Sequence, residues 1–203
     1  MPIPDRNHFV SAYTGKAPWD IGRPQKIIVE AAERVTGSVL DAGCGTGENS
    51  LFLAARGQAV TGIDFLEEPI RRARQKASQR GVPATFLVKD ALMLKDWEER
   101  FDTVIDSGLF HVFGDADRLR YVEGLAAVMK PAGKLILVCF SDQEPGDRGP
   151  RRVSKKELLE SFREGWQIDS IAPVRFQVIP EMDGSVFSSG GPKAWLLEAR
   201  RIW

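Results

Sequence analysis

The chain has 203 residues, 43% hydrophobic and 28% charged, with Lys+Arg and Asp+Glu balanced at 28 each. That length suits one domain with a sizeable core, and a neutral chain gives no support for a nucleic-acid partner, which usually shows a basic excess. Two cysteines (Cys44, Cys139) and two histidines (His8, His111) match no zinc spacing, so no metal is expected and a reduced, cytoplasmic protein is the simplest reading.

Met1 to Val10 is polar and proline-containing, unlike a signal sequence. The longest apolar strand-like run, Leu135 to Phe140, is far too short to cross a bilayer, so no membrane association is expected. Pro2, Pro4, Gly15, Pro18, Gly22 and Pro24 punctuate residues 1–25, which predicts no regular helix there. Trp19, set among these turn formers, either covers a pocket or closes the core. Gln25–Val35 then reads as a helix, with Ile27, Ile28, Ala31, Ala32 and Val35 at helical spacing and Gly37 as the stop.

The stretch from Val39 to Glu48 organises the rest of the chain. A short apolar run leads into Asp41, and Gly43, Gly45 and Gly47 follow before a helix over Asn49–Arg56. This order predicts a buried strand turning sharply into a helix, where glycine permits positive φ and close approach of a ligand to the backbone. The spacing is Gly-x-Gly-x-Gly, and Glu48 occupies the place of the third glycine of a dinucleotide fingerprint. An acid opening the helix is a poor neighbour for a pyrophosphate.

Ala59–Asp64 reads as a second strand, ending in an acid 23 positions after Asp41. A carboxylate there can accept hydrogen bonds from both hydroxyls of a ribose, or can simply start the next helix. That helix spans Pro69–Arg80, its basic residues forming a solvated face. Ala84–Lys89 is a third strand closed by Asp90 and Ala91, and Phe101–Asp106 a fourth, followed by Ser107–Phe113. A helix over Asp117–Met129 turns Leu119, Val122, Leu125, Ala126 and Met129 inward, and Lys134–Phe140 is the fifth strand. Ser141–Pro150 is a long loop at a strand end, where function tends to sit. Ser154–Glu157 forms a capping box for a helix through Phe162, and Ile168–Val178 holds a sixth strand. Ala194–Arg200 closes the chain after the short Ser188–Pro192 loop, which suggests a hairpin-like return. Alternating strands and helices imply βαβ units and a mainly parallel sheet.

Leu40 to Gly47 resembles motif I of the class I S-adenosylmethionine-dependent methyltransferases, whose ligand carries no phosphate. Gly62-Ile63-Asp64 resembles their ribose-binding acid, Lys89-Asp90-Ala91 their step beside adenine, and Phe101–Phe113 their motif IV. Pro18 to Gln25, with the closing Ala194 to Leu197, resembles the thiopurine, halide/thiol and heterocyclic-compound methyltransferase-like group. The resemblance implies an α/β, Rossmann-like fold: a seven-stranded, mainly parallel sheet with an antiparallel last strand and helices on both faces. It implies one domain over residues 1–203, with residues 1–25 as an arm over the cofactor site. It implies S-adenosyl-L-methionine as cofactor, S-adenosyl-L-homocysteine as product, and a small, aromatic or heterocyclic acceptor methylated on O, N or S.

Carried onto this chain, the cofactor contacts are Trp19, Asp41, Gly43, Gly45, Thr46, Gly47, Asp64, Phe65, Asp90, Ala91, Asp106 and Ser107. Phe110, Phe113 and Phe140 are candidates to hold a flat acceptor, or are plain core. His111 follows the fourth strand on the ligand side and is the candidate general base; the alternative is a packing histidine beside an acceptor already ionised. A non-catalytic cofactor-binding protein on the same fold is the competing reading. A nicotinamide-dependent oxidoreductase is opposed by Glu48 and Asp90, and a nucleic-acid methyltransferase by the lack of an Asn-Pro-Pro-Tyr-like motif at Asp106–Leu109.

Overall fold

A computed structural model describes residues 6–15 and 17–203; Pro2 and Pro4 of the arm lie outside the described residues. Runs of β-branched and aliphatic residues form seven strands: β1 (Ser38–Ala42), β2 (Ala59–Asp64), β3 (Ala84–Val88), β4 (Phe101–Ser107), β5 (Met129–Phe140), β6 (Trp166–Arg175) and β7 (Lys193–Arg201). They lie in the order β3-β2-β1-β4-β5-β7-β6. Pairing is parallel from β3 to β5, and β7 runs antiparallel to both β5 and β6. The order reverses at β1, so the crevice beyond the C-terminal ends of β1 and β4 is where this architecture receives ligands.

Alternation along the strands sorts the core. Leu135, Leu137 and Cys139 of β5 join Leu40, Val104, Tyr121, Leu125 and Phe162 on one face. Ile136, Val138 and Phe140 join Ile27, Ile28, Leu53 and Ile105 on the other. Helices α5 (Asp115–Val128) and α6 (Lys155–Ser161) cover the first face; α2 (Lys26–Ala31), α3 (Glu48–Ala55) and α4 (Glu67–Arg80) cover the second. Each fully buried Leu or Phe here contributes about 1.5–3 kcal/mol. The Ser154–Glu157 capping box is formed as expected.

Four local expectations are corrected. A helix, α1 (Arg6–Thr14), stands inside the arm, because the prolines and glycines bound this stretch without interrupting it. The expected helix over Gln25–Val35 gives way after Ala31 to a 3-10 turn, Ala32–Arg34. Leu119 of α5 is 60% exposed; the buried stripe is instead Arg118, Tyr121, Val122, Leu125 and Val128. Arg118 is drawn in by ion pairs to Asp115 and Glu157 and by the Phe110 ring beneath it. Finally, β6 and β7 pair along their whole length, yet their connection is the long segment 176–192, not a tight hairpin.

Candidate active site

The turn after β1 is built by hydrogen bonds that need its glycines. Cys44 N donates to Ile63 O on β2, Gly47 N donates to Cys44 O, and Gly47, at φ 83°, is the left-handed residue before α3. Gly45, at φ 53°, turns its N–H onto Asp64 Oδ2 at 3.2 Å, while Leu66 N donates to Asp64 Oδ1 at 3.0 Å. Two N–H groups thus fix the carboxylate at the end of β2 and leave acceptor capacity for ligand hydroxyls. Asp64 is 8% exposed, and burial raises its pKa to about 6 against the pull of those bonds. Asp41, one strand away, accepts from Ser50 Oγ at 2.6 Å, and burial pushes it up to about 7.

Glu48 opens α3 and is held by Arg80 through two bonds of 2.8 and 2.9 Å and by Lys76 at 2.9 Å. This ion pair fixes a carboxylate where a dinucleotide site would receive its pyrophosphate.

The arm lies over this turn. Phe9, Ala12 and Tyr13 of α1, spaced for one helix face, pack with Ala17 against Phe65 and Leu66. Trp19 Nε1 donates to Tyr13 Oη at 3.1 Å, and a β-carbon placed on Gly45 would stand 2.9 Å from that same oxygen. Phe9 meets Trp19 and Phe65 edge-on, and Arg6 stacks over the Phe65 ring. Thr46 Oγ1 donates to Asp20 Oδ1 at 2.9 Å and accepts from Lys76 Nζ at 2.8 Å. Trp19, Gly45, Thr46, Asp64 and Phe65 therefore converge, with Gly43 under Leu109. Tyr13 is central to the cluster and was not singled out by spacing; its separation of six residues from Trp19 carries no motif signal.

The sites beyond β3 and β4 divide. Asp90 is exposed and caps the 3-10 turn Ala91–Asp96, accepting from Leu92 N, with Ala91 buried beneath. Asp106 is fully buried and committed: Leu109 N, Phe110 N and Tyr121 Oη donate to it at 2.7, 3.0 and 2.9 Å. Burial raises it to about 7, and its carboxylate holds the β4–α5 turn on the α5 face, with Ser107 half-buried beside it. Phe110 is fully buried on Phe162, and Phe113 packs on Tyr121, both on that face. Phe140 belongs to the opposite face, so the sheet separates the three rings expected to hold one acceptor.

Phe140 instead joins His111, Phe176 and Phe187, with centroid distances of 5.0, 5.5 and 5.4 Å. A β-carbon on Gly108, at the end of β4, would meet His111 Cε1 at 3.4 Å and Phe176 Cζ at 3.7 Å. The expectation of His111 as base meets a physical obstacle. Its Nδ1 accepts from Phe140 N at 3.0 Å, and burial, then the charge of Arg152, lowers its pKa to about 3. Phe176 and Phe187 escaped the sequence reading, although both are aromatics flanking the loop before the last strand.

Two clefts of about 310 and 390 Å³ open at the opposite, N-terminal end of the parallel strands, lined by groups such as Lys134 and Glu198 or Ser38 and Ala59. Neither touches the glycine turn, whose crevice the arm covers.

A Gly-x-Gly-x-Gly turn followed by an acid at the next strand end, on this sheet, is the arrangement expected of an S-adenosylmethionine-dependent methyltransferase, and the chain belongs to that family. A methyltransferase-domain model matches residues 39–133. The 2-heptyl-1-hydroxyquinolin-4(1H)-one methyltransferase of Mycobacteroides abscessus is 33% identical, over 95% of this chain and 96% of its own. A probable thiol methyltransferase of Arabidopsis thaliana is 31% identical over 70% of this chain and 65% of its own. A solved structure from work on converting a disulfide bond into a thioacetal group in echinomycin biosynthesis superposes with a TM-score of 0.85, 36% identity, and 98% and 94% coverage. The fold is shared with a Burkholderia thailandensis didemethyltoxoflavin N-methyltransferase, at TM-score 0.76 and 23% identity over 100% and 93% of the chains.

Proposed function

We propose that this methyltransferase alkylates an oxygen, nitrogen or sulfur atom of a small, flat aromatic or heteroaromatic molecule. The observation that carries the reading is the aromatic wall of Phe140, Phe176, Phe187 and His111 beside Gly108, at the strand end next to the glycine turn. The quinolone acceptor named for the 33% identical relative is of that kind. Residues 1–203 act as one domain whose arm, residues 1–25, is the lid of the cofactor site.

The bound cofactor supplies an electrophilic methyl on a sulfonium; the chain supplies binding, alignment and dryness. Asp64 would take the ribose hydroxyls, and the Gly43–Gly47 backbone and Asp41 would hold the amino-acid portion. Asp90 and Ala91 would border the base, and Ser107 would meet the cofactor. Tyr13, buried and bonded to Trp19, would close over the turn. The aromatic wall holds the acceptor plane so that its lone pair lines up with the methyl carbon, and such alignment lowers the barrier by several kcal/mol. Asp106 and Phe110 shape the site from below without touching either ligand. His111 positions the Phe140 backbone; a group with a pKa of about 3 retains a transferred proton poorly. With two free thiols and no basic excess, we place the protein in the cytoplasm, acting on neither nucleic acid nor membrane. Among the described residues no helix is long and apolar enough to cross a membrane.

Calorimetric titration with S-adenosylhomocysteine, with NAD as control, followed by an acceptor panel of hydroxyquinolones, aromatic thiols and N-heterocycles, tests the reading. Micromolar binding of the first nucleoside and turnover of a flat acceptor are expected. Binding without turnover of any panel member would favour a non-catalytic cofactor-binding protein.

A further inference from the structure

The loop between β5 and α6 carries an arginine that no methyl-transfer role has yet used. Arg152 stands with its guanidinium 5.2 Å from the centroid of Phe140. Its three hydrogen bonds all go to main-chain carbonyls of its own loop: Nε to Glu144 O at 3.3 Å, Nη1 to Pro150 O at 2.8 Å and Nη2 to Arg148 O at 2.8 Å. A guanidinium has five N–H donors, so two remain.

No carboxylate lies within ion-pair distance of Arg152 among the described residues. Two acids act on it from further off, Glu144 and Asp147. Glu144 is itself committed, accepting from Ser188 N and Lys193 N at 2.8 Å each. From the β4 side the facing titratable group is His111, held neutral. From the 176–192 connection the facing groups are the rings of Phe176 and Phe187, and a β-carbon on Gly149 would touch both Phe187 and Arg152 Nη1. A positive charge therefore borders the aromatic cluster, and Glu144, the nearer of the two acids in effect, is occupied by main-chain N–H groups. Fixed charge in a water-poor site acts most strongly on a ligand that carries the opposite charge.

We infer that Arg152 is a specificity-determining residue that draws acceptors into the site as anions: an aromatic thiolate or the oxyanion of an acidic heteroaromatic hydroxyl. The inference rests on the methyl-transfer reading above and names its acceptor class. The acceptor releases its proton to water on binding. Its lone pair on O⁻ or S⁻ then forms the bond to the methyl carbon, and the carbon–sulfonium bond breaks with its electron pair kept by sulfur. One negative and one positive charge become two neutral products, and no protein base is needed.

The test is the ionisation of a bound dye. Para-nitrophenol, whose anion absorbs in the visible, is titrated with pH on the protein saturated with S-adenosylhomocysteine, for wild type, Arg152→Lys and Arg152→Met. A guanidinium beside an acid lowers its pKa by about 1–3 units, so the wild-type complex should ionise the dye about tenfold more readily than water does. Arg152→Lys should keep part of that shift, and Arg152→Met should abolish it while the Kd for S-adenosylhomocysteine stays within about twofold. If Arg152→Met does not fold, the wild-type shift and Arg152→Lys carry the comparison. A bound dye that ionises as in water, no dye binding at millimolar concentration, or an unchanged shift in folded Arg152→Met would each overturn the inference. Loss of S-adenosylhomocysteine binding by the wild type would instead overturn the functional reading, because the dye titration can also be run on the unliganded protein.

Discussion

His111 separates two chemistries, and acid is the perturbation that distinguishes them. The imidazole is 6% exposed, its Nδ1 takes the Phe140 N–H, and its pKa falls from 6.5 to about 3. The folded protein therefore holds it neutral, while the unfolded chain protonates it below about pH 6.5. Protons then bind the unfolded state more, so stability falls as pH drops through the window from about 6.5 to about 3. At pH 5 the loss is about 2 kcal/mol, since each pKa unit is worth about 1.4 kcal/mol. Asp41 and Asp106, both raised to about 7, act with the opposite sign: the fold keeps their protons, and stability falls as pH rises from about 4 to about 7. The wild-type curve sums these trends, so the variant difference is what isolates the histidine. His111→Asn puts an oxygen near the place of Nδ1 and removes the titration. Urea unfolding at pH 7 and pH 5 should show the variant gaining about 2 kcal/mol relative to wild type on acidification. A difference that does not change with pH, or an NMR titration of His111 near neutrality in the folded protein, would refute the argument and restore the base.

Three further outcomes follow from the geometry. Asp64→Asn leaves one of the two turn N–H groups without its acceptor and weakens ribose binding; calorimetry should show S-adenosylhomocysteine affinity falling about tenfold or more, and an unchanged Kd in folded protein would remove Asp64 from the site. Gly45→Ala forces a side chain into the left-handed region at a cost of about 1–2 kcal/mol and drives its Cβ against Tyr13, so the arm should become open to protease within residues 6–25; full protection would show that the arm docks elsewhere. Gln25 and Gln177 exchange two hydrogen bonds, Gln25 Nε2 to Gln177 O at 2.8 Å and Gln177 N to Gln25 Oε1 at 2.9 Å. Gln25→Ala should cost about 1–3 kcal/mol and expose the arm and the 176–192 connection to protease together; cleavage of one without the other would show that they move independently.

The strands were legible as short runs rich in β-branched and aliphatic residues, four of which run into an acid: Asp41, Asp64, Asp90 and Asp106. Ala59–Asp64 needed no adjustment, and the antiparallel last strand was implied by resemblance and is present. The arm helix was hidden by counting prolines across residues 1–25 when the interval Arg6–Thr14 contains none. The aromatic cluster around Phe140 was least legible. Parity along β5 puts Phe140 opposite Leu137 and Cys139, which was readable, but that Phe176 and Phe187 come to meet it depends on the β6–β7 pairing. Tyr13 reaches Gly45 only through packing of α1 on Phe65 and Leu66, some fifty positions away.

The long connection between β6 and β7 has a consequence for how such a protein can diversify. Its two ends are anchored by an extended antiparallel ladder, and neither lies in the β1–β3 half that carries the glycine turn and Asp64. Lengthening such a segment adds little closure entropy, about 0.6 kcal/mol for each doubling. New loop sequences can therefore be accommodated as long as the hydrogen bonds of Gln177 to Gln25 and of Ile179 N to Pro18 O are kept. The sheet works as a chassis whose parallel half is fixed and whose antiparallel edge is open to variation.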